Sequence, residues 1–401
     1  MNVLGVNCFS HDTAACLVQD GQVVAFVEEE RFNREKHTTA FPDRAIEYCL
    51  GEGSLGIGDV DTVAFAHRAG TDFVRGALDA LKRGAPKRLA VQTYVDWSLA
   101  KKERDFKRRW GYDGRTFNVG HHDAHAAAAF FASPFDEAAV LTLDRGGDFL
   151  STTIQIGQGN RLRSLAEVRN PDSLGEVYTS LTWYLGFRPN ADEGKVMGLA
   201  PYGRDRLVPE LRDLLRLTPD GLFKVNLGWF AYHREGDRLS GRFLRRYGPP
   251  RVAESELTET HEDLAFAVQD LIEEAGLHIT RTAHRMTGSK NLALAGGVAL
   301  NSVMNTRLLH ETEFEHIFIQ PAASDAGNAL GAALHVWHQE LGQERAWSMR
   351  HAFWGPHVAP GEHKELLAAR KLPFREVADP SAEAARLLSE GKIVGWFQGR
   401  A

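Results

Sequence analysis

The 401-residue chain is 43% hydrophobic and 25% charged, a composition that argues against disorder and allows two or three domains. A formal net charge of -6 offers no global field for nucleic acid, and the chain contains no apolar run of the roughly 18 or more residues a membrane span needs. Cys8, Cys16 and Cys49 form no CxxC pair, and the N-terminus has neither a basic stretch nor a long apolar one, so the reading is a reduced, cytoplasmic protein without a signal peptide.

Residues 2–7 and 13–18 read as strands, and Asp20-Gly21 as a hairpin turn into a third strand over 22–27. The polar tip Phe9-Ser10-His11-Asp12 separates the first two. A charged segment, residues 28–37, follows the third strand; such a run is ordinarily a solvated face, but loops leaving a sheet also collect function. A helix is predicted at 43–51, a strand at 62–66, and helices near 72–83 and 91–110, the last rich in Lys and Arg. Then comes Gly120-His121-His122-Asp123-Ala124-His125, heading an alanine run that favours helix. Positions i and i+4 share a helical face, so His121 and His125 point the same way. Two such imidazoles can chelate a transition metal with carboxylates completing the set, or can simply stand at the start of a capped helix. Asp144 ends the apolar run 138–143, where a strand would deliver it to a loop.

The pattern then repeats. Val140-Leu141-Thr142-Leu143-Asp144 lies over Val3-Leu4-Gly5-Val6-Asn7, and Leu150-Ser151-Thr152-Thr153-Ile154 over Thr13-Ala14-Ala15-Cys16-Leu17. Two strand–turn–strand–hairpin–strand units so far apart indicate paired α/β halves, about 1–137 and 138–345, rather than a solenoid. Ligands in such folds sit between the halves, and the tips at 7–12 and 144–148 are expected to face that cleft. A helix is predicted near 175–186. The mixed segment 191–203 reads as a functional loop, and 205–255 carries few signals. A long amphipathic helix (260–286) precedes a strand (291–294) that runs into Gly296-Gly297, a turn that lets backbone N–H groups approach a phosphate. A strand (316–319), Ser324-Asp325-Ala326-Gly327-Asn328 and a helix to about 341 repeat that form. Asp325 either caps this helix or supplies a carboxylate to the cleft. Beyond 345 the texture changes to loop, a helix over 380–391 and a strand over 393–397.

Taken together, His11-Asp12, Glu29–His37, His121–His125, Glu193–Gly203, Gly296–Asn301 and Ser324–Ala329 resemble the O-carbamoyltransferases of the nodulation-protein and antibiotic-tailoring family. The resemblance implies a duplicated actin-like/sugar-kinase-superfamily (ASKHA) α/β fold over 1–345 and, at 346–401, the start of an α/β domain similar to threonylcarbamoyl-adenylate synthase, truncated here. It implies that carbamoyl phosphate and ATP give carbamoyl-adenylate, whose carbamoyl group passes to a hydroxyl of a small-molecule, glycosidic acceptor. The metal ligands it implies are His121, His125, Asp144 and Asp325, holding iron, with zinc or manganese as alternatives. His11 is the implied general base and Lys36 the charge partner of the phosphate, while Asp12, Glu193, Lys195, Gly296, Gly297 and Asn301 fall to the nucleotide. One departure stands out: the family usually has glycine after Asp144, and this chain has Arg145. The alternatives are a tRNA threonylcarbamoyl transferase-like enzyme and a non-catalytic ATP-binding module of the same fold. The first is disfavoured by the charge balance. No nucleic-acid or membrane partner is expected.

Overall fold

The structure, a computed structural model, describes residues 1–8, 11–68, 101–234, 238–357 and 361–401. Phe9 and Ser10 of the first tip, the helix predicted at 72–83 and residues 91–100 of the next lie outside the described residues. So does Pro360. Residues 101–110 are helical, as predicted.

The first sheet contains β1 (Asn2–Asn7), β2 (Ala14–Gln19), β3 (Gln22–Glu28), β4 (Thr62–Ala66) and β5 (Arg115–Val119), ordered β3-β2-β1-β4-β5. The second contains β6 (Glu137–Gly147), β7 (Leu150–Gln158) and β8 (Arg161–Arg169). A small ribbon of β9 (Leu215–Leu217) and β10 (Phe223–Val225) intervenes before β11 (Asn291–Ala295) and β12 (His316–Ile319) complete it. Its order, β8-β7-β6-β11-β12, repeats that of the first. Pairing repeats as well: two antiparallel contacts on the hairpin side, β1·β2 and β6·β7 innermost, and two parallel ones on the other, through β4 and β11. The duplication read from the sequence is therefore a duplication of fold. Strands 62–66 and 316–319 fall where the apolar runs put them.

Each last parallel strand leads to a helix: α1 (His121–Phe130) after β5 and α2 (Gly327–His335) after β12. These two helices pack on each other through small residues. A Cβ on Gly331 would stand 1.9 Å from the carbonyl oxygen of Ala124, and one on Gly5 would stand 2.0 Å from that of Ala329. Glycine at both positions lets α2 wedge against α1 and β1 at backbone distance. The alanine run of α1 is buried throughout, so this helix is a core element and not an amphipathic one.

Several expectations need correcting. Glu193–Leu199 forms a helix, so the segment read as a loop is ordered by backbone hydrogen bonds from Asp192 onward. The helix predicted to run to about 341 is present, α-helical over Gly327–His335 and continued as a π-helix over Val336–Glu340. Two compact units emerge, Met1–Met349 and Arg350–Ala401. Within the second, Pro380–Ser389 is helical as predicted, but residues 393–397 form no strand. A strand needs a neighbour to take its backbone hydrogen bonds, and among the described residues none lies alongside. Ile393, Trp396 and Phe397 are exposed.

Candidate metal centre and cavity

Four side chains converge where the halves meet. The ligand atoms of His121, His125, Asp144 and Asp325 lie within 4.8 Å of one another, and all four residues are buried. His121 Nε2 is 3.1 Å from His125 Nε2, 3.1 Å from Asp144 Oδ2 and 3.6 Å from Asp325 Oδ1. His125 Nε2 is also 3.6 Å from Asp325 Oδ1. The i,i+4 spacing on α1 aligns the imidazoles, β6 delivers Asp144, and the loop before α2 delivers Asp325. Asp325 does not cap that helix, whose start has no side-chain cap, so the carboxylate is left for the cluster.

The surroundings hold these groups in place. Asp148, in the β6–β7 turn, accepts the backbone N–H of His121 at 2.7 Å and so caps α1 from a distance. Gly147 lies so close that a Cβ there would stand 2.2 Å from the His121 ring. Asp144 accepts backbone N–H groups from Gly297 at 2.9 Å and Gly146 at 3.1 Å. His122, facing away, is 2.7 Å from Thr142 Oγ1.

Burial disfavours an imidazolium at His121, but the Asp325 and Asp144 carboxylates outweigh it and raise this group to about 9. Burial also works against the Asp144 carboxylate, yet the hydrogen bond with His121 and the charges of His125 and His121 hold it well below the usual range. Desolvation lowers His122 to about 3, keeping it neutral. Two carboxylates and two imidazoles aimed at one buried point therefore attract positive charge. A divalent cation fits this donor set, taking the place of the proton on His121.

A cavity of about 310 Å³ opens onto the carboxylate side of the cluster, where Asp144 and Asp325 form part of its wall. His11, Asp12, Glu193, Gly297 and Asn301 line it. His11 Nδ1 is 3.0 Å from Asp12 Oδ2, and its Nε2 is 3.7 Å from Asp325 Oδ2. The hydrogen bond with Asp12 raises His11 above the ordinary imidazole value, with Asp325 adding to it and burial opposing. Asp12 also binds His37 Nδ1 at 2.7 Å, so one carboxylate orients two imidazoles. Glu193 accepts from Thr179 Oγ1 and Asn190 N, each at 2.8 Å. Asn301 caps the helix Ser302–Glu311 through Met304 N and pairs its amide with Gln269.

Lys36, Lys195 and Gly296 are not among the lining residues. Lys36 is largely exposed and ion-paired with Glu30 at 2.6 Å. Lys195 pairs with Asp192 at 3.2 Å, and Gly296 serves as the turn behind Gly297. Tyr178 and Thr179 line the cavity without having been singled out, since only the fold brings them there, and His37, the end of the charged segment, lines it too. Arg145 lines it too, 3.9 Å from Glu176, which Arg238 approaches at 3.5 Å. A groove of about 780 Å³ near β9 and β10 shares no lining residue with this cavity.

A family model described as the carbamoyltransferase N-terminus matches residues 2–334. The chain is 39% identical over its full length to the uncharacterized protein sll1178 of Synechocystis sp., of which it covers 68%. It is 36% identical, over 98% of its length, to the nodulation protein NolNO of Sinorhizobium fredii, of which it covers 56%. It therefore spans only part of these relatives. Among solved structures, full-length HypF in its phosphate- and nucleotide-bound form is similar at 12% identity and a TM-score of 0.42, over 86% of this chain and 56% of that one.

Proposed function

Since the chain belongs to the carbamoyltransferase family, we propose that it moves a carbamoyl group from carbamoyl-adenylate, made from ATP and carbamoyl phosphate, to a hydroxyl of a small glycosidic acceptor. The observation that carries this reading is the buried His121–His125–Asp144–Asp325 cluster forming one wall of a cavity that also contains an oriented histidine, His11.

His11 is the base. Asp12 at Nδ1 fixes the ring so that Nε2 points into the cavity and takes the acceptor proton. The acceptor oxygen forms a bond to the carbamoyl carbon. The bond from that carbon to the phosphate oxygen breaks, and AMP leaves with the electron pair. A divalent ion held by the four ligands, iron in our reading, would supply Lewis-acid polarisation and neutralise developing charge. The cavity-lining backbone of Gly297 and the side chains of Asn301 and Glu193 bind the nucleotide, while the N–H groups of Gly296 and Gly297 stay committed to the Ala323 carbonyl and to Asp144. Lys36 and Lys195, at the surface, meet its phosphates only if their ion pairs open.

Incubation with the metal, carbamoyl-adenylate (preformed or generated from ATP and carbamoyl phosphate) and a panel of glycosides should yield a carbamoylated glycoside detectable by mass. His11→Gln should abolish it. Carbamoyl transfer that persists in His11→Gln, or its absence with every donor and acceptor, would sink the assignment.

A further inference from the structure

His67 directly follows β4, as Gly296 directly follows β11, and both residues have left-handed backbone, with φ of 78° and 97°. Glycine accepts that conformation freely, whereas histidine pays for it. The His67 ring is buried and lies against that of His121, with centroids 4.6 Å apart and Nδ1 to Nδ1 at 3.3 Å. Its own Nε2 is buried and has no hydrogen-bond partner among the described residues. Lys102, itself buried, donates to the carbonyl oxygens of Ala66 and His67 and clamps the turn. A strained turn, an orphaned nitrogen and a buried lysine are all spent on keeping one imidazole beside His121.

Resting on the metal reading above, we propose that His67 is a positioning residue for the metal centre: its Nδ1 accepts the Nδ1–H of His121 and so fixes the tautomer in which the His121 Nε2 lone pair faces the ion. The logic is one of proton count. Two Nδ1 atoms at this distance share one proton, and a neutral His121 that ligates through Nε2 must carry its proton on Nδ1. His67 is then the acceptor, which puts its own proton on the orphaned Nε2. The Asn328 amide lies 3.4 Å from the same Nδ1 and 3.3 Å from His125 Nε2, and its Oδ1 has no other partner.

The test is a Co²⁺ titration of the full chain followed by visible absorption, for the wild type, His67→Leu and His67→Asn, with circular dichroism as the check on folding. His67→Leu should bind Co²⁺ about 10–100-fold more weakly. His67→Asn, whose Oδ1 can replace the lost acceptor and which tolerates positive φ, should recover most of that loss. Unchanged affinity in His67→Leu, or folded His67→Asn no better than His67→Leu, would overturn the proposal. Should neither variant fold, ¹⁵N-histidine spectra of the Zn²⁺-loaded wild type decide it: protonation of His67 at Nε2 supports the assignment, and protonation at Nδ1 refutes it. A wild type that binds no Co²⁺ would instead refute the metal reading itself.

Discussion

The backbone N–H of Gly297 donates to Asp144 Oδ1 across 2.9 Å, joining the glycine turn after β11 to a carboxylate of the candidate metal centre. The turn and the centre are thus one mechanical unit, and the two glycines should fail in different ways. A Cβ on Gly296 would stand 2.2 Å from the Leu143 carbonyl oxygen, at φ 97°. Gly296→Ala should therefore cost at least about 2 kcal/mol and lower the melting temperature. On Gly297 the Cβ would press on Asp144 Oδ1 from 3.1 Å. Gly297→Ala should keep the fold while weakening Co²⁺ binding, as read by thermal melts and metal titration in parallel.

His121→Ala and His125→Ala should each abolish stoichiometric metal. Elemental analysis after dialysis reads this directly, and a full metal complement in both variants would remove the ligand assignment. In the metal-free protein His121→Ala should also be destabilised, because Asp144 and Asp325 then face each other without the intervening imidazole. Unmasking buried charge in this way costs about 3–5 kcal/mol.

Asp12 binds His11 Nδ1 at 3.0 Å and His37 Nδ1 at 2.7 Å from a backbone position with φ 58°. Asparagine tolerates that backbone, so Asp12→Asn should fold normally. It loses the charge that orients both rings, and carbamoyl transfer should fall by about 10²-fold or more. A melting temperature lowered in proportion to activity would instead assign Asp12 to structure.

Burial lowers Lys102 from the ordinary lysine value of 10.5 to about 8. Below that folded value both states carry the proton and the burial penalty is complete. Between it and the ordinary value the unfolded chain binds one more proton than the folded chain, so this residue's contribution to stability rises with pH. Lys102→Met lacks the effect. The melting temperature of the variant minus that of the wild type should decline as pH is raised across this interval, and a flat difference would mean that Lys102 does not titrate there.

Local chemistry made much of this legible. The Asp20-Gly21 hairpin, the strand at 62–66 and the paired tips announced a duplicated sheet, because turn residues and apolar runs act through near neighbours. The i,i+4 spacing of His121 and His125 likewise fixed one face of one helix before any tertiary contact was known. Their union with Asp144 and Asp325 was reached through resemblance, since spacing cannot bring β6 and the loop before α2 to one point.

Tertiary structure decided the rest. Asp325 had two local options, cap or ligand, and packing of α2 against α1 through Gly331 directs it to the imidazoles. Lys36 and Lys195 read as site residues, yet each sits at the surface beside a carboxylate of its own segment, Glu30 and Asp192. Residues 393–397 have the composition of a strand, but a strand exists only where a neighbour supplies its hydrogen bonds. His67 is the sharpest case. In the sequence it is one histidine after an apolar run, and its chemistry comes from a positive φ and from a ring more than fifty residues away in sequence, 3.3 Å away in space. Sequence fixes what each residue can donate, accept or pack. Only the closed fold decides which of those capacities meet.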